Sequence, residues 1–547
     1  MRRYTILFFV LAFALFLGGC NTTEKPENLS PPSENEPVSA SEPSISESAF
    51  AAEVDVEGIS TSREAAEAYL DAFFNVDFDK LISACAVETY VENYNSLGLL
   101  QMMRQVNFLN IPPSLLYSAM AGFDEKLATQ SRVAEILQRI DFNYRWFCLS
   151  GFPSGDYDEF LSMRPIALGK SNPYAEAGEF YNNLERDFNA EKLRSVQSYR
   201  LLTPTQYGGE AYEVYKSENT AGSLNSVLSF CGADDYEEFV ALFDSDGEEW
   251  ALTLRTLYYN GKWYANPDSV LGSILGFGAY TTVERVSRLK YHPESEEEVR
   301  STDIHHGSVS VTHGTIEGTG ADSAKDAVSA YMDGFLSADF ERTLQACAIE
   351  TYVRNYNSVE RAGQLNMINQ NEGLEQAVYS FDPLLAAESR AGELAALVRQ
   401  RYVVICSEGL RSLFNSSNSI NFSNEEEIIV FYNDFMRDFD SRKFIGVAGY
   451  EILTVEDFSQ ENREKYTSEG MRNAIQNTVI CYGADDYESF IATFVMPDGN
   501  EWALGIGAFK YGGKWYADHN SSLAMLLRMN YYGISLLDDL EPHQART

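Results

Sequence analysis

The strongest constraint on this chain is that it carries the same sequence twice. Residues 65–96 read AAEAYLDAFFNVDFDKLISACAVETYVENYNS, and residues 327–358 read AVSAYMDGFLSADFERTLQACAIETYVRNYNS, a spacing of 327 − 65 = 262. Further on, CGADDYEEFVALF at 231–243 returns as CYGADDYESFIATF at 481–494. DGEEWAL at 246–252 returns as DGNEWAL at 498–504, and NGKWYA at 260–265 as GGKWYA at 512–517, now at spacings of 251–252. The drift amounts to a few loop deletions, so a whole unit is duplicated. Each copy runs to roughly 220 residues, long enough for its own core and too long for the repeat of a solenoid.

Within a copy the pattern starts helical. Ala65, Ala66, Tyr69, Leu70, Phe73 and Phe74 recur at helical spacing over residues 62–75, with Ser62 available as the cap. Phe78 to Tyr94 continues as a second helix, residues 113–140 are mostly helical, and residues 174–188 form an amphipathic helix. The pattern then turns to strands. Phe239–Phe243, Trp250–Tyr259 and Lys262–Ala265 read as a meander, with Ser245-Asp246-Gly247 and Asn260-Gly261 at its turns. Helices first and an antiparallel sheet after make an α+β unit. The expected organisation is a leader at 1–20, a tether at 21–58, repeat 1 at 59–290, a linker at 291–320 and repeat 2 at 321–547. The linker is polar, suggests one short strand around Val309–Val311, and offers the two copies no shared core.

The helix AAEAYLDAFFNVDFDKL, followed at the far end by strand, turn and GKWY, resembles nuclear transport factor 2-like domains of the cystatin-like α+β type. The resemblance covers about 60 residues at the two ends of each copy and implies a curved antiparallel sheet wrapped around a helix to form a cone. Enzymes of that fold use Asp, Tyr or His inside the cone. None maps one by one onto this sequence.

The N-terminus gives an address. Arg2 and Arg3 precede an uncharged apolar run from Ile6 to Leu17, which ends in Gly18-Gly19-Cys20. A basic start, a short apolar stretch and small residues before the cut read as a secretory signal. The run falls short of the roughly 20 residues that a membrane span needs. A cysteine directly after Leu-Gly-Gly resembles the lipobox of bacterial lipoproteins, which implies cleavage before Cys20 and diacylglycerol on its sulfur. The expected location is the extracytoplasmic face of a cell membrane, with the lipid on Cys20 as the membrane contact.

Residues 21–58 carry five of the sixteen prolines, seven serines between Ser30 and Ser48, and nine acidic residues against the single base Lys25. Such a segment cannot bury enough surface to offset its chain entropy and reads as a disordered acidic tether. The formal charge of the chain is −40. Nucleic acid is therefore excluded as a natural partner, since affinity there comes from Lys and Arg on phosphates.

Motifs that carry chemistry are sparse. There is no glycine-rich phosphate loop, no His-Glu-x-x-His and no Gly-x-Ser-x-Gly elbow. Four of the six histidines (His292, His305, His306, His313) lie in the linker, where no acid or cysteine framework completes a metal site. No cofactor and no metal is expected. Asp234-Asp235 and Asp485-Asp486 stand where turns and caps are needed. The matched segments starting at Glu88-Thr89-Tyr90 and Glu350-Thr351-Tyr352 supply the candidate ligand-binding residues Glu88, Tyr90, Glu350 and Tyr352, with helix packing as the competing role. Tyr90 and Tyr94 share a helix face at i, i+4. The matched tryptophans (Trp250/Trp502, Trp263/Trp515) suit a sheet core or a sugar-stacking surface.

Six further cysteines occur at matched positions: Cys85/Cys347, Cys148/Cys406 and Cys231/Cys481. An oxidising compartment permits disulfides. If any form, the duplication singles out Cys148 with Cys231 and Cys406 with Cys481; otherwise all six are thiols. Together these features describe a lipid-anchored binding or scaffolding lipoprotein without catalytic activity, facing a protein or cell-wall ligand. The alternative is an enzyme acting on a small molecule inside the cone.

Overall fold

The computed structural model describes residues 59–105, 117–122, 124–148, 191–277, 282–293, 301–306, 315–357, 360, 383–406, 424–439, 441–529 and 532–540. Cys20, the acidic tether, the helix expected at 174–188 and the strand expected around Val309–Val311 lie outside these residues.

Each copy is an α+β unit built on one curled antiparallel sheet. In copy 1 the strands are β1 (Ser198–Leu202), β2 (Asp235–Ser245), β3 (Glu248–Tyr259), β4 (Lys262–Asn266), β5 (Val283–Arg285) and β6 (Ser301–Asp303). Their order is β4-β3-β2-β1-β6, with β5 also pairing β3. In copy 2 they are β7 (Tyr450–Leu453), β8 (Asp486–Val495), β9 (Glu501–Tyr511), β10 (Lys514–Asp518) and β11 (Ile534–Leu536), in the order β10-β9-β8-β7 with β11 on β9. The hairpin turns fall where the sequence places them. Asp246, Gly247, Asn260 and Gly261 all have positive φ, as a two-residue turn matching the strand twist requires.

The first helix, Ser62–Asn75, is capped by Thr61, whose side chain accepts the Glu64 N–H; Ser62 is already helical. It lays Ala66, Tyr69, Leu70, Phe73 and Phe74 into the core of copy 1. The expected second helix is two, Phe78–Ala84 and Val87–Asn93. Between them Cys85 is extended and forms a parallel bridge to Ala265 on β4, and Cys347 does the same to Ala517. A long-range backbone contact thus breaks what local periodicity reads as continuous.

Each copy also has a 24-residue helix, Glu125–Cys148 and Pro383–Cys406. Tyr144 stacks on Phe73 at 4.5 Å and donates to the Phe73 carbonyl at 2.7 Å. Tyr402 repeats both contacts on Phe335, at 4.5 and 2.8 Å. Trp250, Trp502 and Trp515 are buried, in keeping with a core role.

The two copies share a core, contrary to the expectation drawn from the polar linker. The long helices pack on one another, and the copy 2 helix Glu425–Asp438 packs on the copy 1 helix Ser96–Gln105. One continuous apolar cluster holds Tyr90, Tyr94, Tyr117, Leu127 and Ala128 of copy 1 with Ala391, Leu394, Val398 and Tyr402 of copy 2. Arg399 reaches across so that its guanidinium lies 5.3 Å from the Tyr117 ring.

Candidate functional site

Tyr90 and Tyr352 occupy equivalent places, and each faces a buried arginine from the long helix of its own copy. The Arg132 guanidinium carbon lies 3.9 Å above the Tyr90 ring, and that of Arg390 lies 4.1 Å above Tyr352. Each arginine also reaches a glutamate three residues on: Glu135 at 3.4 Å and Glu393 at 3.2 Å. Tyr90 contacts Tyr94 at 5.4 Å and Tyr352 contacts Tyr356 at 5.2 Å, as the i, i+4 spacing predicts. A third ring completes each cluster from a different source. In copy 1 it is Tyr117; in copy 2 it is Tyr482, the one-residue insertion in CYGADDY. Burial raises the Tyr90 and Tyr352 phenols well above their ordinary range, so both stay protonated.

Glu350 does not join this cluster. Its carboxylate accepts the N–H groups of Ile316 (2.9 Å) and Glu317 (3.2 Å). Glu317 in turn accepts the N–H groups of Ile349 (2.8 Å) and Thr351 (2.7 Å). The two glutamates clamp the end of the linker to the helix Glu350–Asn355. Glu88, its counterpart, is half-buried, and the matching segment ahead of copy 1 lies outside the described residues.

Of the two alternatives that the sequence leaves open for the cysteines, the described residues show the thiols: all six described cysteines are buried and unlinked. Cys148 belongs to the interior of copy 1, whereas Cys231 lies in the cluster that the copies share, so the pair sits in separate parts of the core. Cys406 and Cys481 are likewise thiols. Burial pushes Cys85, Cys148 and Cys347 up to about 12 and Cys231 up to about 11.

Behind the tyrosines lies a polar layer that the sequence reading missed, and here the copies differ. From the last residue of β4 copy 1 reads Asn266-Pro267-Asp268; after Ala517 copy 2 reads Asp518-His519-Asn520. In copy 2, Asp518 pairs with Arg390, and both are almost fully buried. In copy 1 the carboxylate stands at the other end of the tripeptide: Asp268 pairs with Arg139 at 2.8 Å. Burial would raise the Asp268 carboxyl, but the Arg139, Arg132 and Arg255 guanidiniums outweigh it and hold the group below its usual range. Arg255 itself pairs with Glu238 at 2.7 Å, fully inside the protein. Copy 2 has Gly507 and Ser489 at these two places. A Cβ on Gly507 would meet the Asn520 carbonyl oxygen at 2.0 Å, because the Asp518-His519-Asn520 loop fills the space.

A second difference lies deeper. In copy 2, Arg401 of the long helix donates to the Tyr331 hydroxyl (2.9 Å) and to the carbonyls of Tyr532 (3.0 Å), Gly505 (3.1 Å) and His519 (3.4 Å). Copy 1 has Asn143 there, which bonds Thr282 instead, at 2.7 and 2.9 Å. The hydroxyls at the positions matching Tyr331 and Gly505, those of Tyr69 and Thr253, are buried and have no hydrogen-bond partner among the described residues. Arg401 therefore places a cation in the interior of copy 2, while the interior of copy 1 holds two hydroxyls without a partner among the described residues. Aligning the two copies would have exposed both exchanges, but nothing local marks Arg132, Arg390 or Arg401 as buried.

The acidic pairs act as caps. Asp234 accepts the Asn260 N–H at 3.2 Å and Asp485 the Gly512 N–H at 2.7 Å, each pinning its hairpin. Among the described residues no group of three or more His, Cys, Asp or Glu could hold a metal ion, and no helix is long and apolar enough to cross a membrane.

No family model and no curated protein matches the chain. A solved structure of a cystatin-like protein from Ruminococcus gnavus aligns with 87% of this chain and 92% of its own length, at 9% identity and a TM-score of 0.44.

Proposed function

We propose that the protein is a lipid-anchored, extracytoplasmic binding or scaffolding lipoprotein of two fused cystatin-like, nuclear transport factor 2-like domains. The observation that carries the reading is how the ionisable groups inside the cones are used. Arg390 is held by Asp518 and Glu393, Arg132 by Glu135 and the Tyr90 ring, and Arg255 by Glu238. The buried phenols and thiols are pushed toward their protonated, unreactive forms. These groups serve as struts of a body that presents its outer surface to a partner. Residues 21–58, whose composition reads as an acidic tether, would extend about 35 Å as 38 residues of coil, enough to lift that body from the lipid.

The test has two arms. Cys20→Ser should move the protein from the membrane to the soluble fraction, since a lost acyl anchor removes stable attachment; retention after a salt wash overturns the anchor. Tyr90→Phe together with Tyr352→Phe should leave a complemented deletion strain unchanged. Loss of complementation by a folded double variant overturns the non-catalytic reading.

A second reading has one observation in its favour. The unmet Tyr69 and Thr253 hydroxyls beside the Asp268–Arg139 pair would suit a small polar molecule in the cone of copy 1, as a substrate or a ligand.

A further inference from the structure

Five arginines are buried among the described residues, and four of them have acceptors. Arg390 is held by Asp518 and Glu393, Arg132 by Glu135, Arg255 by Glu238, and Arg401 by the Tyr331 hydroxyl and three carbonyls. The fifth, Arg399, lies as deep, at 3% exposure. Neither its Nε nor its Nη1 has a hydrogen-bond partner, and no carboxylate pairs with it among the described residues. Its guanidinium faces the Tyr117 ring across the seam between the copies, at 5.3 Å. The neighbouring charges do not balance it. Tyr117 lies in the field of three of them: Glu135, Arg399 and Arg132. The one carboxylate, Glu135, already takes Arg132 at 3.4 Å, so one positive charge is left over. A ring face offsets part of the cost of burying a charge, but an unpaired buried ion remains among the costliest groups a core can hold. The matching position of copy 1 is Asp141 (399 − 258 = 141), so the duplication supplies this cation once.

We propose that Arg399 holds a small oxyanion, a phosphate or a carboxylate, in the seam between the two copies. The donor set fixes the class of ligand. A guanidinium carries N–H groups and no acceptor, so a group rich in lone pairs is needed to satisfy it, and an oxyanion matches its planar fork. A cation is excluded by charge, and a neutral molecule leaves the charge uncompensated. The setting fixes the size. Leu127 and Ala128 of copy 1 and Ala395 and Val398 of copy 2 belong to the same packed cluster, so a peptide or a sugar would have to part the long helices. The formal charge of −40 repels anions at long range, but exposed charges are screened beyond a Debye length while buried ones are screened much less. The site is separate from the anchor and from the outer surface of the body, and an ion bound there touches both copies at once.

The experiment uses the full chain after exhaustive dialysis, with inorganic phosphate and acetate as probes and sodium chloride at matched ionic strength as the reference. An ion that binds only the folded chain raises its melting temperature as the ion concentration rises. Phosphate, acetate or both should do so beyond chloride, and should slow hydrogen exchange within 117–121 and 395–403. A response to one of the two ions names the source of the oxyanion. Arg399→Met should abolish the shift for both ions. With no anion added it should be no less stable than the native chain, because an apolar side chain replaces an unpaired charge. Arg399→Lys keeps the charge and loses the fork, so it should retain a smaller shift. Arg437→Gln, at a side chain 68% exposed, should leave the shift unchanged. The proposal is overturned if neither ion acts beyond chloride, or if the Arg399→Met chain responds as the native chain does. It is also overturned if Arg399→Met is destabilised without added anion, which would show that the guanidinium has its acceptor within the chain.

Discussion

Ala134 and Gly392 hold equivalent places in the two copies, 392 − 134 = 258 residues apart, and they face each other where the long helices cross. A contact between equivalent positions is what a two-fold axis produces in a homodimer; here one chain supplies both halves. The approach is close enough that a Cβ built on Gly392 would lie 2.3 Å from the Ala134 Cβ. Gly392→Ala should therefore destabilise by about 1–3 kcal/mol, although alanine is the better helix former, because overpacking at a fixed crossing outweighs propensity. Adding Ala134→Gly should return most of the loss. Thermal melts of the single and double variants check this, and a stabilised Gly392→Ala would show that the helices part without penalty.

The shared core makes a second expectation. Tyr90, Tyr117 and Val398 belong to one cluster, so the copies should unfold together. Calorimetry of the full chain should give one transition, and Gly392→Ala should shift all of it. Two transitions, with only the second copy's moved, would return the molecule to two independent domains.

The thiols give a third. All six described cysteines are buried, and burial raises four of them to about 11 or 12. The thiolate is the reactive form, so the native protein should resist alkylation at neutral pH. Denaturation without reductant should then label all six. Four unlabelled cysteines, recovered as linked Cys148–Cys231 and Cys406–Cys481 peptides, would overturn the thiol assignment.

Local signals carried much of the fold. Asn260-Gly261 announces its hairpin because positive φ is needed at both positions. The helix Ser62–Asn75 is visible because only one face of it is buried. What escaped depends on contacts distant in sequence. Cys85 looks helical until Ala265 claims its backbone. The long helices bury their own cone on one side and the other copy on the other, so no single apolar stripe marks the interface. Tyr90 and Tyr352 were legible as a matched pair, but the arginines beneath them were not. A buried arginine is hidden in sequence until its carboxylate is located, and that carboxylate changes position between copies.

That exchange can be tested. Asp518→Asn leaves the buried Arg390 without its carboxylate across the core, and breaking such a pair from one side costs roughly 3–5 kcal/mol. Asn520→Asp added to it recreates the copy 1 order, carboxylate last, but copy 2 has Leu397 where copy 1 has Arg139, the partner of Asp268, so it should recover little of the loss. Denaturant melts decide the matter. Full recovery by the second substitution would mean that the two tripeptides are interchangeable supports for Arg390.

His519 makes copy 2 sensitive to acid in a way copy 1, with Pro267 there, is not. Burial lowers its imidazole to about 4; Asp518 opposes this, and Arg390 and Arg401 reinforce it. A histidine whose folded pKa lies below its unfolded value near 6.5 stays neutral in the folded state, while the unfolded chain takes up a proton first. Its contribution is complete above pH 6.5 and is lost as pH falls from 6.5 to 4, by at most about 3 kcal/mol at 1.36 kcal/mol per unit. Asp518 acts in a lower window. Burial would raise its carboxyl, but His519 and Arg390 hold it below the usual range, so its contribution drains only below about pH 4. Urea midpoints measured from pH 7 to about pH 3 should therefore fall steeply for the native chain. His519→Asn should flatten the part of that fall between pH 6.5 and 4 and leave the acid limb below it. An unchanged slope in the variant would mean that other groups carry the acid sensitivity.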